Sequence, residues 1–398
     1  MSRAKDAKFT PMSEQYVDQP HGLFENMRQI APVYYVEKPR HVAGWYIFRY
    51  DDCRTLLKDS GQYITKINPS TEHHKRHRKL DIVDIVSRHV LFSDSTKHSQ
   101  QRQVMEPMFA SATQAAWESN IQTAIAEILA TLKPGSSIDL VQDYAEQLPA
   151  KIIGYFLEST SDEALRQWAN AMVGLIDLTT PIEHVNANLM GMVAFLIRSL
   201  DGPATTERSF FQLFREAESN RTLSRIESVG NLAFLISAGY ETAANAIANG
   251  VLALVRQGHW QVAGNTSRAS AIADECLRFD GPLKAATPRW AAQNFNLDGR
   301  QIKKGERIFL MLASANRDET VYERANQFIL GRREQRHLAF GSGIHHCLGA
   351  QVARTEIGLA LTGLAQAFPN LTIDTKHLAW RKNLMIRGPR RLNAHLNI

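Results

Sequence analysis

Apolar residues recur at helical spacing almost without a break from about Lys97 to Gln257. Steps of three and four residues place them on one face of a helix, which predicts a body of packed amphipathic helices. The predicted helices cover residues 111–132, 144–157, 161–177, 184–200, 208–217, 224–257, 267–279 and 350–367.

Strand signals lie toward both ends of the chain. Pro32–Val36 and Gly44–Arg49 are rich in aromatic and β-branched residues, which favour strands. Phe295–Ile302 holds two short runs around an Asp-Gly turn and predicts a hairpin. The β-rich part is predicted from about 22–65 and 283–330 plus the C-terminal tail, and the helical part from about 97–280 and 347–367.

The predicted fold class is therefore mainly α with a small β-rich part. No Pro/Gly/Ser-rich linker, repeat or low-complexity block divides the 398 residues. We predict one domain over residues 1–398, although this length also allows two or three. The composition, 44% hydrophobic and 22% charged, is typical of a soluble globular protein.

Cysteine usage and the N-terminus bear on the compartment. The three cysteines are far apart and odd in number, which argues against a disulfide framework and favours a reducing compartment. Residues 1–8 are polar, and no run of eighteen apolar residues occurs. We therefore expect a cytoplasmic protein without a signal peptide or membrane span.

The net charge of +6 is mild and scattered, apart from one dense cluster, His73–Lys79. No aromatic residues interleave this cluster, so it offers no platform for stacking nucleic-acid bases. A solvated loop is the favoured interpretation. The alternative is a surface that attracts an acidic substrate or the carrier protein that bears one.

The stretch Phe340-Gly-Ser-Gly-Ile-His-His-Cys347-Leu-Gly349 places one cysteine in a glycine-rich loop before a predicted helix. Tight glycine turns bring amide N–H groups near the sulfur, and the helix directs its positive end there. Both effects favour the thiolate, the form that ligates metals. A lone thiolate suits the axial ligand of a haem iron rather than a four-ligand zinc site. The alternative is a buried structural cysteine.

This stretch resembles the signature of the cytochrome P-450 family of haem-thiolate monooxygenases. The family pattern is an aromatic residue, a glycine three residues on, a basic residue two before the cysteine, and then Cys-x-Gly. Phe340, Gly343, His345, Cys347 and Gly349 occupy those positions. The resemblance covers nearly the whole chain. It implies the cytochrome P-450 fold, with a long central helix over haem b and Cys347 as the axial thiolate.

The longest predicted helix contains Gly239, Glu241 and Thr242 in its middle. Glycine weakens a helix interior by about 1 kcal/mol relative to alanine, so it needs a reason there. The resemblance implies that Ala238 and Gly239 border the haem, and that Thr242 and Glu241 deliver protons. Many relatives have a second hydroxyl residue after the threonine, where this chain has Ala243. The alternative is a threonine bonded back to a helix carbonyl.

Glu275 and Arg278 lie three residues apart on one helix face. Such a pair means little on a surface. The resemblance implies a buried structural Glu-x-x-Arg motif that Arg332 joins.

Haem carries two propionates, which cationic and hydrogen-bonding side chains bind well. The resemblance assigns this role to His98, Arg102, Arg289 and His345; taken singly, each is a solvated charge in the alternative interpretation. His346 is expected at the protein surface. The substrate pocket is expected from Phe234, Ala238, Ala285, Ala286, Leu384 and Met385.

The resemblance implies a haem-dependent monooxygenase that inserts one oxygen atom from O2 into a small organic substrate, in secondary metabolism or catabolism. The chain has no flavin or iron–sulfur motif, so a ferredoxin or flavodoxin with its NAD(P)H-dependent reductase is implied. We expect a monomer that binds neither nucleic acid nor membrane, acting on a free or carrier-bound substrate. Oxidative coupling, ring formation or peroxide-driven oxidation is an open alternative, as is a non-enzymatic haem sensor.

Overall fold

The computed structural model describes residues 8–58, 63–64, 81–93, 95–157, 161–174, 182–203, 209–333 and 336–398. The chain divides into two compact units. The first unit comprises Met1–Thr65, Leu129–Ala145 and Asn245–Ile398, and the second comprises Lys66–Ile128 and Glu146–Ala244. The single domain over 1–398 stays a prediction, and the basic cluster His73–Lys79 lies outside the described residues.

Helices make up most of the described chain. They are α1 (Glu14–Asp18), α2 (Pro20–Ile30), α3 (Tyr50–Lys58), α4 (Asp81–Val86), α5 (Ser95–Phe109), α6 (Gln114–Thr131), α7 (Gln147–Phe156), α8 (Asp162–Gly174), α9 (Ile182–Asp201), α10 (Phe210–Ser219), α11 (Arg225–Arg256), α12 (Trp260–Ala263), α13 (Ala269–Asp280), α14 (Leu312–Ala315) and α15 (Ala350–Ala367). Short 3-10 turns occur at Val90–Phe92, Ser111–Thr113, Thr266–Arg268 and Gly343–His345, and a π-helical turn at Val141–Ala145.

The strands are short and lie in the first unit. They are β1 (Val33–Val36), β2 (Gly44–Ile47), β3 (Tyr63–Ile64), β4 (Ser137–Asp139), β5 (Arg289–Ala291), β6 (Phe295–Leu297), β7 (Arg300–Ile302), β8 (Arg307–Leu310), β9 (Thr372–Ile373), β10 (Ala379–Trp380), β11 (Pro389–Arg391) and β12 (Asn393–His395).

The predicted fold class, mainly helical with small sheets, is confirmed. The long amphipathic run predicted at 224–257 is α11, and the run at 350–367 is α15. Local capping explains some boundaries. Ser209 accepts a hydrogen bond from the Gln212 N–H at 3.2 Å and so starts α10.

The main sheet of the first unit has the strand order β1-β2-β8-β5-β3. β2 and β8 are parallel, with Trp45 opposite Ile308, and the other neighbours are antiparallel. Val33 and Ile47 on this sheet pack with Tyr50 of α3 in a buried apolar cluster. The sheet thereby fixes α3 and the strand that begins at Arg289.

One strand had no sequence signal. β4 pairs with β12, with Ser137 opposite His395 and Asp139 opposite Asn393. β12 also pairs with β9. A three-residue strand is too short for an alternating pattern, and its partner is about 250 residues away along the chain.

A buried carboxyl in α15 predicts a pH dependence of stability. Burial raises the pKa of Glu356 to about 8, whereas an unfolded glutamate titrates near about 4.3. Because the folded pKa is the higher one, stability is lost as the pH rises from the unfolded value toward 8. We expect Glu356→Gln to remove much of this loss, on the order of a few kcal/mol.

Melting temperatures of the haem-loaded protein between pH 5 and pH 9 test this prediction. Glu118→Gln, at an exposed position of α6, is the matched control and should follow the wild type. If the melting temperatures of wild type and Glu356→Gln change with pH to the same extent, the prediction is wrong.

Candidate active site

The cysteine loop is held against the end of α3. Gly341 and Gly343 have φ angles of 69° and 74°, in the region that favours glycine. A Cβ atom on Gly343 would collide with the carbonyl oxygen of Leu57. The Cys347 N–H donates to the Phe340 carbonyl at 2.9 Å and closes the loop. Position 343 therefore needs glycine for both its backbone angle and its lack of a side chain.

Cys347 is the exposed thiol among the three cysteines. Cys53 and Cys276 are buried, and burial raises the pKa of both well above the usual range, which keeps them protonated. α15 begins at Ala350, so the positive end of its dipole lies at the loop. Within the described ranges, no group of three or more His, Cys, Asp or Glu side chains could hold a metal ion. A single accessible sulfur fits a metal centre that brings its other ligands, as haem does.

Arg289 and His345 belong to the same unit as Cys347. Arg289 is buried at the start of β5, and its Nη1 donates to the Leu56 carbonyl at 3.0 Å. His345, which is half-buried, ends the 3-10 turn that contains Gly343. Since Gly343 packs on Leu57, both predicted propionate ligands are tied to the same end of α3.

His98 and Arg102 lie on one face of α5, in the second unit. His98 is buried, and burial and the charge of Arg102 lower its pKa. A neutral imidazole can donate one hydrogen bond but carries no charge. Arg102 Nε donates to Glu106 at 3.3 Å, one turn along the helix. The pair therefore combines one permanent cation with one neutral donor.

The middle of α11 carries the predicted proton-delivery pair. Glu241 is 4% exposed, and the Thr242 hydroxyl donates to the Ala238 carbonyl at 2.7 Å. This is the back-bonded threonine that sequence reasoning weighed as the alternative. At Gly239 an added Cβ would lie 3.3 Å from Cδ1 of Ile153, so the glycine allows α7 to approach.

Glu275, Arg278 and Arg332 form one buried charge network. Arg278 donates to both carboxylate oxygens of Glu275, at 2.7 and 2.8 Å. Arg332 Nε lies 3.4 Å from the same carboxylate. These residues are 4%, 2% and 7% exposed, in that order, so the whole network is buried.

Phe340 is held in position by two residues that the sequence did not reveal, Arg354 and His337. The Arg354 guanidinium lies 5.1 Å from the centroid of the Phe340 ring, and its Nε donates to Asp274 at 2.6 Å. His337 also contacts Asp274, at 3.2 Å, and its ring lies 5.7 Å from Phe340. No local signal could show these contacts, because Asp274 is 80 residues from Arg354.

His89 is a further residue that sequence reasoning missed. Its ring stacks on Phe234, a predicted pocket residue, at 4.4 Å and an interplanar angle of 6°. Burial lowers the pKa of His89 to about 3, so the imidazole is neutral. Its Nδ1 accepts from the Leu91 N–H at 3.3 Å, which leaves the proton on Nε2.

Four other predicted pocket residues, which are Ala285, Ala286, Leu384 and Met385, lie in the first unit, whereas Ala238 lies in the second. Leu283 and Ile386 form an antiparallel bridge, and the Lys284 N–H donates to the Met385 carbonyl at 2.6 Å. The carbonyl of Leu384, the residue before Met385, accepts a hydrogen bond from the Tyr16 hydroxyl. The structure thus brings the segment that contains Ala285 and Ala286 beside the C-terminal tail, as the pocket prediction requires.

Comparisons with known proteins agree with this geometry. A family model described as Cytochrome P450 matches residues 269–385. A Bacillus subtilis (strain 168) protein named Cytochrome P450 is 32% identical over 387 residues, which cover 94% of each chain. The chain belongs to the cytochrome P450 family. The polyketide biosynthesis cytochrome P450 PksS of the same organism is 27% identical over 403 residues, covering 98% of both. The solved structure of epothilone B-bound Cytochrome P450epoK has a TM-score of 0.90 at 26% identity, covering 98% of this chain and 100% of that one.

Membership in the P450 family confirms the predicted cofactor, haem b with Cys347 as its axial thiolate ligand, and the predicted monooxygenase activity. Bacterial P450s generally receive their electrons from redox partner proteins. Over the described part of this P450, no helix has the length and hydropathy needed to cross a bilayer.

Replacing the ligand tests the Cys347 assignment directly. We expect the reduced, carbon monoxide-bound wild type to show the long-wavelength Soret band typical of thiolate ligation. Cys347→His should lose that band, because an imidazole donates less electron density to the iron. Cys53→Ala, which removes a buried thiol of the same unit, should keep it. A retained band in Cys347→His would contradict the assignment.

Proposed function

We propose that this P450 uses O2 and electrons from a ferredoxin or flavodoxin, supplied by an NAD(P)H-dependent reductase, to oxidise a small polyketide-type natural product. One oxygen atom enters the substrate, and the other leaves as water with two electrons and two protons. The observation that carries the proposal is the Glu241–Thr242 pair in the middle of α11. Oxidation driven by peroxide, which already carries both electrons and protons, has less need of such a pair.

Thr242 is proposed to hand protons on at its Oγ1 atom. Its hydroxyl is oriented by the bond to the Ala238 carbonyl at 2.7 Å. A hydroxyl has one proton and two acceptor positions, so Oγ1 can accept a proton while it is bonded to Ala238 and then release its own proton after turning away from that carbonyl. Glu241 is the proposed source. Adjacent helix residues point about 100° apart, so we expect water to bridge the two side chains.

Haem supplies the oxygen activation and the oxidising power, and the chain supplies binding, orientation and protons. His98, Arg102, Arg289 and His345 are proposed to bind the propionates. Arg289 can do so without losing its bond to Leu56, because a guanidinium carries five N–H donors. The proposed contacts to the macrocycle come from Phe340, Gly349 and Ala238.

Removing the Thr242 hydroxyl should uncouple electron use from product formation. For Thr242→Ala we expect product per NAD(P)H to fall by about 10²-fold, the low end for loss of a positioned proton donor, while peroxide accumulates. Thr242→Ser keeps the hydroxyl and is the matched control. Both variants are assayed with a reconstituted ferredoxin system and with peroxide alone. Equal coupling in the Ala and Ser variants would refute the proton-delivery role.

The polyketide-type substrate is proposed from relatives and from the predicted pocket. PksS is named for polyketide biosynthesis, and the epothilone C/D epoxidase of Sorangium cellulosum is 27% identical over 379 residues. Two of the predicted pocket positions in the first unit, Ala285 and Ala286, carry small side chains. A spectral-shift screen of macrolides, fatty acids, terpenoids and aromatics tests this class.

A carrier-bound substrate is the second candidate, and the basic cluster His73–Lys79 favours it. Replacing Lys75, Arg76, Arg78 and Lys79 with Ala should weaken binding of a carrier-bound acid about tenfold or more at low salt, and less at high salt. An uncharged ester of the same acid is the control ligand and should bind both proteins equally. Unchanged affinity for the carrier-bound acid at every salt concentration would exclude this role.

A further inference from the structure

A cavity of about 250 Å³ lies within the first unit, among residues that have no assigned role in binding haem or substrate. The first turn of α2 borders it on one side, and the last turn of α11 borders it on another. The end of α13 and the segments that carry Arg317 and Arg387 complete its lining.

The charges around this cavity do not balance. Arg317 and Arg387 are only 7% and 4% exposed, whereas Arg256, the last residue of α11, is an exposed member of the lining. The acidic residues of the lining are Asp18 and Asp280. Guanidinium groups remain charged in proteins, so three positive charges meet two negative ones.

Asp280 acts on all three arginines but bonds directly to only one of them, Arg387. Its Oδ1 accepts from Arg387 Nε at 2.7 Å and contacts His21 Nε2 at 2.9 Å. Burial alone would raise the pKa of Asp280, but Arg387 and His21 hold it well below its usual range. One carboxylate therefore serves all three arginines, and the lining as a whole keeps one positive charge more than it has negative charges.

Arg317 and Arg256 show the resulting excess of positive charge. Arg317 Nε donates to the Phe279 carbonyl at 2.7 Å, a neutral acceptor. Burial lowers the pKa of Arg317 to about 9, although Asp280 opposes the shift. Burial lowers the pKa of Arg256, Asp280 opposes that shift, and the charge of Arg387 adds to it. A cleft in which one sign of charge predominates concentrates counter-ions, which are anions in this case.

We propose that this cavity binds an oxyanion, the phosphate or carboxylate group of a small molecule, between Arg256, Arg317 and Arg387. The planar fork of arginine matches both groups in bidentate geometry. His21 and Gly22, in the first turn of the eleven-residue α2, add the positive end of a helix dipole, which partly offsets the negative ends of α11 and α13 at the same cavity.

The same cavity offers apolar surface for the body of such a ligand. Leu252, Ala253 and Phe279 belong to its lining. The bound anion would connect Arg256, at the end of the central helix, to Arg387, which follows the predicted pocket residue Met385 by two positions. Binding would therefore restrain the tail that carries part of the substrate pocket.

Anion titration of the haem-loaded protein tests the proposal. Inorganic phosphate and acetate are titrated separately by calorimetry, with chloride keeping the ionic strength constant. We expect saturable binding of at least one anion by the wild type. Arg256→Gln should weaken it at least about tenfold, because a charge-assisted hydrogen bond is lost. The anion that binds identifies the ligand group as phosphate or carboxylate.

Two further variants make the result specific. Arg256→Lys keeps the charge but loses the fork, so its affinity should lie between those of wild type and Arg256→Gln. Arg268→Gln removes an exposed arginine elsewhere in the unit and should bind as the wild type does. The carbon monoxide spectrum verifies that each variant is folded. No saturable binding by the wild type, or equal affinity in Arg256→Gln and Arg268→Gln, would overturn the proposal.

Discussion

Three buried charges hold the stretch of chain that leads to the cysteine loop. Between α14 and the 3-10 turn at Gly343–His345, the described residues form no regular element, so their buried backbone groups need other partners. Glu275 accepts the Ile329 N–H at 2.7 Å. Arg278 donates to the carbonyls of Asn316, Ala325 and Gln327. Removing one partner of a buried ion pair costs about 3–5 kcal/mol, because the other charge is left uncompensated.

The same stretch also fixes α3, and α3 in turn aligns the thiolate with a proposed haem ligand. Asp318 accepts the N–H of Tyr50 at 2.8 Å, where α3 begins. At the other end of α3, the Leu56 carbonyl accepts a hydrogen bond from Arg289. The next carbonyl, that of Leu57, packs against Gly343. The spacing between the cysteine loop and Arg289 is therefore set by a single rigid helix rather than by a flexible loop. This explains how a loop with an exposed sulfur can present it in a defined direction.

The sequence could predict those features whose signal lies within one element. The amphipathic period gave α11 and α15, and the Cys347 loop and the Glu241–Thr242 pair were readable as short motifs. Contacts between distant segments were not readable. β4 has three residues and pairs with the tail, and His89 stacks on Phe234 from 145 positions away along the chain. Such contacts depend on which helix faces pack together, and local periodicity does not encode that choice.

The contrast between short motifs and long-range contacts also explains why the sequence indicates the class of reaction but not the identity of the ligands. Haem chemistry needs one thiolate, a proton donor and a few cations, and selection can keep each in a short motif. The proposed ligand sites depend on pairs such as Leu283 with Ile386, or Arg256 with Arg387, which are more than 100 positions apart along the chain. Their charges and shapes acquire meaning only when the fold places them around one cavity. An excess of positive charge there is invisible in a net charge of +6 spread over 398 residues. For this P450, the chemistry can thus be read from motifs, whereas ligands have to be inferred from the charge and shape of cavities.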